Sequence, residues 1–414
     1  MTYSVKSVHD NLFEIGDKPP NGVVPKKMYA WTVRENRFGP PLESMKVEIV
    51  DVPQPREGEI IIYNMAAGIN YNAVWAGLGK PVNVLKNHGL YDEPHPFHIC
   101  GSEASGIVFG VGKDVTRFKV GDEVIVIGNQ YERNCPYIQK GKDPILSPSF
   151  RIWGYESNWG AFAQYSRVKQ EQCFRKPPFL DWCEAASSFA TAITAERMLT
   201  NYEENAIQPG NVVLIWGGYG GVGNMAIQIA KHYGGIPIAI VSNDERGKEC
   251  MRFGAVGYIN RKKFNHWGSV DQFMKNEKGR RRWLKGALRF RREIWNVLGK
   301  RKNPDIIIEH PGEQTLPTSL FVCEKGGMVV LCGGTTGYQG SLDLRFLWLE
   351  QKRLQGSHAG TKEEIERVLQ HFREKVIRPN ITRVLNWDEV AKGHQMLYEN
   401  SHPGGNMSVK VGMK

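Results

Sequence analysis

The stretch Asn211–Gly223, NVVLIWGGYGGVG, decides the fold of this chain. The apolar run VVLIW is typical of a buried strand, a G-x-G-x-x-G pattern follows it directly, and GNMAIQIAKHYG continues at helical spacing. In a strand-turn-helix unit these glycines permit a tight turn and let the backbone approach a pyrophosphate at the helix N-terminus. The stretch therefore predicts a dinucleotide site consisting of Gly218, Gly220, Gly221, Val222 and Gly223.

The residues that follow extend this unit into a sheet. IPIAIVS is a second apolar run, DERGKECMRFGA has helical spacing, and DIIIEH, GMVVLCGG and RLQGSH supply further strands. Strands that alternate with helices predict a parallel sheet covered on both faces. We therefore expect a doubly wound Rossmann domain over residues 191–360, within an α/β chain.

The end of the second strand bears on the choice of cofactor. Ser242, Asn243 and Arg246 suit a ribose 2′-phosphate, whereas Asp244 could instead accept from a ribose 2′-hydroxyl. Because the residue at the strand end is Ser242 rather than an acidic residue, we predict NADPH as the cofactor.

The N-terminal part of the chain has a different pattern. From about residue 26 to 168, short β-type runs such as KMYAWTVR, GEIIIYNMAAGIN and GDEVIVIG alternate with Gly, Pro and Asp. This pattern predicts a β-rich, mostly antiparallel domain. We expect it to span residues 1–190 and 361–414, with the last strand, MSVKVGM, rejoining its sheet.

Length and composition exclude several classes. A chain of 414 residues with 23% charged and 41% hydrophobic residues is a multidomain globular protein, neither disordered nor a small disulfide-stapled module. Seven cysteines without a Cys-x-x-Cys pair fit reduced thiols in a cytoplasmic protein. No apolar run reaches the roughly 18 residues of a membrane span, so we expect no membrane association.

The net charge of +11 is concentrated in one segment. Residues 275–302 hold twelve basic and two acidic residues, a net charge of +10. We interpret the segment as a basic insertion in the nucleotide-binding domain, and its sign favours a phosphate-bearing partner.

The two predicted domains together resemble the medium-chain dehydrogenase/reductase superfamily, which combines a GroES-like β-rich catalytic domain with a Rossmann domain. Its zinc-dependent branch carries Gly-His-Glu near the end of the first domain, where this chain has Gly101-Ser102-Glu103. The structural-zinc cysteine cluster is missing as well, so we expect no metal.

Five strings narrow the resemblance further, to the crotonyl-CoA carboxylase/reductase family. They are GINYNAVW (68–75), RIWGYESN (151–158), EHPG (309–312), RFLW (345–348) and GSH (356–358). The resemblance implies that hydride from NADPH reaches the β-carbon of a short α,β-unsaturated acyl-CoA, and that the enolate then attacks CO2. Crotonyl-CoA would give ethylmalonyl-CoA, and acryloyl-CoA would give methylmalonyl-CoA.

The resemblance also implies a CO2 pocket, formed here by Asn72, Tyr155, Glu156 and His358. The Asn72 amide would donate to one CO2 oxygen, Glu156 and His358 would orient a water that contacts the other, and Tyr155 would screen the pocket. The family has phenylalanine where this chain has Tyr155. A phenol hydroxyl could protonate the enolate, which leaves an enoyl-CoA reductase without carboxylation as the alternative function.

The basic segment has three interpretations. Its arginines could bind the phosphates of coenzyme A, and we name Arg280, Arg281 and Arg282, together with Arg345, for that role. The segment could also be a solvated helix that pairs with acidic surface in an oligomer. Because Trp283, Phe290 and Trp295 interleave with the cations, a non-catalytic protein that binds NADPH and RNA is the third interpretation. By resemblance we expect a homo-oligomer, specifically a tetramer.

Overall fold

A computed structural model describes residues 12–86, 95–132, 134–273 and 275–413 of the chain. The chain divides into two units, which are Met1–Ala190 with Pro379–Lys414 and Thr191–Arg378. Within the described ranges, no helix combines the length and the apolar character that crossing a bilayer requires.

The regular elements are as follows. The strands are β1 (Lys27–Val33), β2 (Lys46–Asp51), β3 (Glu59–Ile69), β4 (His98–Ile99), β5 (Glu103–Val111), β6 (Glu123–Ile127), β7 (Asn129–Gln130), β8 (Arg151–Ile152), β9 (Tyr165–Lys169), β10 (Cys173–Arg175), β11 (Val212–Trp216), β12 (Ile236–Val241), β13 (Gly257–Asn260), β14 (Ile306–Glu309), β15 (Met328–Leu331), β16 (Arg353–Gly356), β17 (Ile381–Leu385) and β18 (Asn406–Lys410). The helices are α1 (Pro41–Ser44), α2 (Tyr71–Leu78), α3 (Pro136–Gln139), α4 (Trp182–Ser187), α5 (Phe189–Thr200), α6 (Gly221–His232), α7 (Asp244–Phe253), α8 (Val270–Phe273), α9 (Glu277–Leu298), α10 (Leu316–Val322), α11 (Arg345–Trp348), α12 (Lys362–Arg373) and α13 (Val390–Tyr398).

The first unit is organised around the long strand β3. In its main sheet the order is β10-β6-β5-β3-β18-β17, and β9 also pairs with β3. The pairs that β3 makes with β5, β9 and β18 are all antiparallel. The prediction of a mostly antiparallel β-rich domain is confirmed, and so is the return of the last strand, since Met407 of β18 lies opposite Ile69 of β3.

Aromatic side chains fill the core beneath this sheet. Tyr63, Phe109 and Tyr165 contact one another with ring centroids 5.1–5.9 Å apart. Burying large aromatic rings supplies much of the apolar area that stabilises a β-rich domain. The three rings pack β3, β5 and β9 against one another.

The second unit contains the doubly wound sheet that the sequence predicts. Its strand order is β13-β12-β11-β14-β15-β16, and every pair is parallel. The order reverses between β11 and β14. Ligands of such folds bind beyond the carboxyl ends of the strands at this reversal, so the loops after β11 and β14 define where a dinucleotide binds.

The basic segment lies within the second unit, and its interpretation as an insertion stays a prediction. Most of it forms α9, the crossover helix between β13 and β14. Trp283, Ala287, Phe290 and Ile294 recur on one face of α9 and are buried, while Arg280, Arg281 and Arg282 are exposed. The cations are therefore the solvent face of an amphipathic helix that covers the sheet.

The boundary near the C-terminus differs from the expected residue 360. Helix α12 lies in the second unit, because Glu196 of α5 accepts a hydrogen bond from Arg367 at 2.7 Å and lies 3.3 Å from His371. Tyr233 donates to the same carboxylate at 2.9 Å. These polar contacts, on a helix that also buries Ile365 and Phe372, hold residues 362–373 to the second unit.

Candidate active site

The glycine loop after β11 has the geometry of a pyrophosphate cradle. Gly220 is the N-cap of α6, and a Cβ added there would meet only the Gly217 carbonyl oxygen, at 3.2 Å. A Cβ at Gly218 would lie 2.7 Å from the Cβ of Ala239, and a Cβ at Gly223 would overlap the Gly217 carbonyl. Gly218 and Gly223 therefore permit close packing, whereas Gly220 leaves the start of the helix open to an anion.

The remaining predicted loop residues, Gly221 and Val222, form the first turn of α6. Backbone N–H groups of a first helical turn have no partner within the helix, and the helix dipole favours a negative charge there. The loop and the helix start thus fit the pyrophosphate of a dinucleotide without a side-chain contact.

Beyond the neighbouring strand β12, Ser242 and Arg246 form a pair. Arg246 Nη1 donates to Ser242 Oγ at 3.2 Å, and Asn243 caps α7 by accepting from the Arg246 N–H at 2.9 Å. Asp244, in contrast, faces Asn260 at 3.3 Å and Lys263 at 3.6 Å. The guanidinium and hydroxyl suit a 2′-phosphate, whereas the Asp244 carboxylate is engaged by the next strand.

A buried carboxylate organises the loop after β14. Glu309 is fully buried and accepts hydrogen bonds from Thr315 at 2.7 Å, Ser319 at 2.6 Å and the Gly312 N–H at 3.2 Å. Burial raises the pKa of Glu309 to about 7, although these donors oppose the shift. The sequence did not assign it a role.

Asn72 lies in the first turn of α2, directly after β3. Its Nδ2 donates to Ser102 Oγ at 2.5 Å, and its Oδ1 is buried without a hydrogen-bond partner among the described residues. Asn70, the N-cap of α2, donates to Glu103 at 2.7 Å. The strings around Asn72 and Ser102 therefore meet, because antiparallel pairing places the end of β3 beside the start of β5.

Burial raises the pKa of Glu103 to about 7, against hydrogen bonds from the Ala190 N–H and from Asn70. Both partners lie on segments that flank the site, so the carboxylate ties α2 to the start of α5. Neither Ser102 nor Glu103 was predicted as a site residue. One signal in the sequence was that Asn70 and Asn72 follow a predicted strand, while Ser102 and Glu103 precede another.

Tyr155 and Glu156 lie in a tight turn after β8. The Glu156 N–H donates to the Ile152 carbonyl at 2.7 Å, and the Ile152 N–H donates to Glu156 Oε2 at 2.9 Å. Gly154 adopts φ +69°, and a Cβ there would overlap the Gly101 carbonyl oxygen. The turn thus packs directly against the segment that carries Ser102.

Aromatic rings connect this turn to α2. Trp75 lies between Tyr71 and Tyr155, with ring centroids 5.3 Å and 6.4 Å apart respectively. Tyr155 is 8% exposed. Three of the four predicted pocket residues, Asn72, Tyr155 and Glu156, are therefore brought into one region of the first unit.

The fourth residue, His358, follows β16 in the second unit. Its side chain is exposed, and the preceding residue Ser357 continues the sheet through its N–H to the Leu331 carbonyl at 2.8 Å. His358 is therefore not a packed core histidine. It lies at the carboxyl end of the parallel sheet, and its participation in the pocket stays a prediction.

In the part of the chain that the structure describes, no group of three or more His, Cys, Asp or Glu side chains gathers at one point. Ser102, at the position of the zinc ligand in the zinc-dependent branch, instead contacts an amide. A neutral serine hydroxyl that is bonded to the Asn72 amide does not fit a zinc site, because zinc is bound by Cys, His and carboxylate side chains.

The proposed coenzyme A residues lie together on the second unit. Arg345 binds Asp343 through two contacts, at 2.6 and 2.9 Å. Hydrogen bonding from Arg345 lowers the pKa of Asp343, and Arg280 adds a smaller effect of the same sign. Arg281 pairs with Glu277 at 2.5 Å, and Arg282 is exposed.

Two aromatic residues of the same segment, Trp283 and Phe290, are packed inside the second unit. Trp283 contacts Phe321 and Phe346, and Phe290 packs against Trp216 in the core. Both side chains are buried. Two of the three aromatic residues on which the RNA interpretation depended are therefore core residues.

Comparisons with known proteins agree with this geometry. The sequence model of the family "Alcohol dehydrogenase GroES-like domain" matches residues 56–178, and that of "Zinc-binding dehydrogenase" matches residues 221–374. Together with the two units, these matches define the chain as a medium-chain dehydrogenase/reductase.

The relatives are more specific. The chain is 43% identical to the crotonyl-CoA carboxylase/reductase of Cereibacter sphaeroides, over 97% of this chain and 91% of that protein. It therefore belongs to the crotonyl-CoA carboxylase/reductase family.

Solved structures are similar along nearly the whole chain. The crotonyl-CoA carboxylase/reductase AntE in complex with NADP has a TM-score of 0.92 and 45% identity, covering 98% of this chain and 99% of that one. The 2-octenoyl-CoA carboxylase reductase CinF, in complex with NADP and 2-octenoyl-CoA, has a TM-score of 0.86 and 31% identity, covering 94% and 89%.

Proposed function

We propose that the chain catalyses the NADPH-dependent reductive carboxylation of a short α,β-unsaturated acyl-CoA. The observation that carries the proposal is the Asn72 carboxamide, which is held by Ser102 beside the turn of Tyr155 and Glu156. Family membership and the NADP complexes of the similar structures support the same reaction.

The second unit would bind the cofactor. The backbone N–H groups of Gly221 and Val222 would hold the pyrophosphate, since the Gly220 N–H donates to the Gly217 carbonyl at 2.7 Å. Ser242 with Arg246 would hold the 2′-phosphate through charge-assisted hydrogen bonds. When bound, NADPH supplies the hydride that the β-carbon of the substrate accepts.

The first unit would direct the fate of the resulting enolate. Carbon dioxide has no net charge and only weak acceptor oxygens, so it needs a donor that is already in position when it arrives. The Asn72 amide would supply this donor through its Nδ2 group once Ser102 donates to Oδ1. Glu156, which is fixed by its two contacts with Ile152, and His358 would orient a water at the other CO2 oxygen, and the new bond joins the α-carbon to the carbon of CO2.

The CoA part of the substrate carries a diphosphate and a 3′-phosphate. We assign their binding to Arg345 with Arg280, Arg281 and Arg282, because Arg280 and Arg345 act on the same carboxylate and the three successive arginines are exposed. Replacing Arg280, Arg281 and Arg282 by Ala should raise the KM for crotonyl-CoA without changing the KM for NADPH. An unchanged KM for crotonyl-CoA would contradict this assignment.

The deciding experiment supplies crotonyl-CoA, NADPH and ¹³C-bicarbonate and identifies the product by mass spectrometry. We expect ethylmalonyl-CoA that carries one ¹³C. Butyryl-CoA as the sole product at saturating bicarbonate would overturn carboxylation and leave reduction. Acryloyl-CoA, assayed in parallel, would give methylmalonyl-CoA and tests the chain length.

The second candidate, an enoyl-CoA reductase that protonates the enolate, is favoured by one observation. Tyr155 places a phenol ring next to Trp75, at a position where the resemblance implies phenylalanine. His358→Asn separates the two candidates, since a CO2-binding role predicts loss of carboxylated product with reduction retained. Equal loss of both products would indicate that His358 acts elsewhere.

We also propose that the protein acts as a tetramer in the cytoplasm. All seven cysteines are free thiols, which is typical of a reducing compartment. Light scattering after size-exclusion chromatography measures the assembly, and a monomer would contradict it.

A further inference from the structure

The side chain of Asn72 has one hydrogen bond among the described residues, to Ser102. The Asn amide rotates easily about its last torsion, which has a broad energy minimum, so a single polar contact decides where the amide plane lies. The other polar atom of the amide is buried and has no partner within the described chain. Ser102 is therefore the group that orients Asn72.

Ser102 is itself held rigidly. It is 5% exposed, and a Cβ at Gly128 would lie 2.8 Å from the Ser102 carbonyl oxygen, so no side chain separates the two segments. On one side of Ser102, the carbonyl of Gly101 accepts the Ala161 N–H at 3.0 Å. On the other side, Glu103 is bonded to Asn70 and to the Ala190 N–H.

The hydroxyl of Ser102 can support either orientation of the amide, because a serine both donates and accepts. When Ser102 donates to Oδ1, the Nδ2 group of Asn72 is left in the unpaired position. A donor is then aimed at a fixed point, beside the packed turn that carries Tyr155 and Glu156. Without Ser102, neither amide atom has a partner that fixes this direction.

We propose that Ser102 is a positioning residue for Asn72 and sets the fraction of enolate that is carboxylated. The inference rests on the proposed function, in which Asn72 donates to CO2. The sequence singled out Ser102 only because it replaces the histidine of the Gly-His-Glu zinc motif; the proposal gives this serine a role.

The test compares Ser102→Ala with two matched variants. Ser102→Thr keeps the hydroxyl. Ser105→Ala removes a hydroxyl from β5, the strand that begins directly after Ser102. Ser105 is fully buried and donates to the Trp182 carbonyl at 2.6 Å. The measurements are the KM for CO2, the ratio of ethylmalonyl-CoA to butyryl-CoA at limiting bicarbonate, and the conformation of Asn72 in crystals of each variant.

For Ser102→Ala we expect the KM for CO2 to rise about three- to tenfold, the range for loss of one neutral hydrogen bond, with a smaller effect on reduction without CO2. Asn72 should adopt more than one conformation in that variant. Ser102→Thr should restore a single conformation and a low KM, and Ser105→Ala should lower thermal stability while leaving the product ratio unchanged.

An unchanged KM for CO2 in Ser102→Ala, or an equal change in Ser105→Ala, would overturn the proposal. If the wild-type protein forms only butyryl-CoA, the proposed function fails. The conformation of Asn72 in crystals of Ser102→Ala then tests separately whether Ser102 positions Asn72. A single, unaltered Asn72 conformation in Ser102→Ala would overturn it, whereas a displaced or split conformation would support it.

Discussion

Substituting alanine for two glycines of the loop should separate cofactor binding from folding. Gly220 has φ −77°, which alanine adopts without strain, and the added Cβ meets only the Gly217 carbonyl oxygen at 3.2 Å. Gly223 has a permissive helical backbone, but its Cβ would overlap that same oxygen and lie 2.8 Å from the carbonyl carbon and from Gly218 Cα. The first methyl therefore meets a single carbonyl oxygen, whereas the second overlaps several backbone atoms.

The expected magnitudes follow from these contacts. Alanine is a poor N-cap, so Gly220→Ala should lower the free energy of unfolding by only about 1 kcal/mol. Disturbing one charge-assisted hydrogen bond to the pyrophosphate costs about 1.5–3 kcal/mol, or about a 10- to 150-fold rise in the Kd for NADPH. For Gly223→Ala, overpacking against immobile backbone should lower the free energy of unfolding by about 2 kcal/mol or more.

Two assays measure these effects independently. Urea unfolding without cofactor gives the free energy of unfolding, and a titration followed by nicotinamide fluorescence gives the Kd for NADPH. We expect Gly220→Ala to bind NADPH more weakly while it keeps most of its free energy of unfolding. Gly223→Ala should lose both NADPH affinity and stability. Wild-type affinity in Gly220→Ala would refute the assignment of this loop to the pyrophosphate.

Three further predictions concern charge, the pocket and pH. Arg246→Ala should raise the KM for NADPH about 10- to 100-fold through loss of a charge-assisted hydrogen bond, with the KM for NADH little changed; parallel steady-state kinetics measure both. Tyr155→Phe should keep the ring packing and lower the share of butyryl-CoA at limiting bicarbonate, as product analysis by mass spectrometry would show. Burial raises the pKa of Glu196, but hydrogen bonds from His371 and Arg367 outweigh it and leave that pKa lowered. Glu196→Gln should therefore cost about 3 kcal/mol at pH 7, with the difference from wild type shrinking below about pH 4.5 as the carboxylate protonates, measured by urea unfolding.

Each of these three predictions has an outcome that would contradict it. An equal rise in the KM for NADPH and for NADH would show that Arg246 does not bind the 2′-phosphate. A larger share of butyryl-CoA in Tyr155→Phe would mean that the hydroxyl supports carboxylation. A stability difference for Glu196→Gln that persists unchanged at acidic pH would show that the ionised carboxylate contributes little.

The Rossmann unit was predictable because its signals are local. Each strand is a short apolar run, the glycine pattern follows one of them directly, and the handedness of parallel crossovers leaves few topologies. For α9, the charge count points to the exposed cations Arg280–Arg282 and says nothing of the buried face. Trp283, Ala287, Phe290 and Ile294 had the spacing of a core-facing helix, which was the signal to follow.

The candidate pocket was predictable only as separate strings. Asn72 and Ser102 are thirty positions apart, and their contact depends on the antiparallel register of β3 and β5, with Ala67 opposite Ala104. Shifting that register by one residue would turn every side chain to the other face of the sheet. The sequence contains no turn that fixes this register, and so the role of Ser102 emerged only from the structure.

The two buried carboxylates with raised pKa values show why such a shift does not by itself identify a catalytic acid. Perturbed pKa values cluster at active sites, but structural networks produce them too. In Glu103 one oxygen accepts from Asn70 and the other from the Ala190 N–H. In Glu309 one oxygen accepts from Thr315 in the following loop and the other from Ser319 in α10. A carboxylate whose acceptor sites are taken by groups on flanking segments is suited to holding those segments in place. In this chain the segments carry Asn72 and the loop beside the cofactor cradle, so the unusual pKa values mark the supports of the site, and the chemistry is left to the amide and to the bound cofactor.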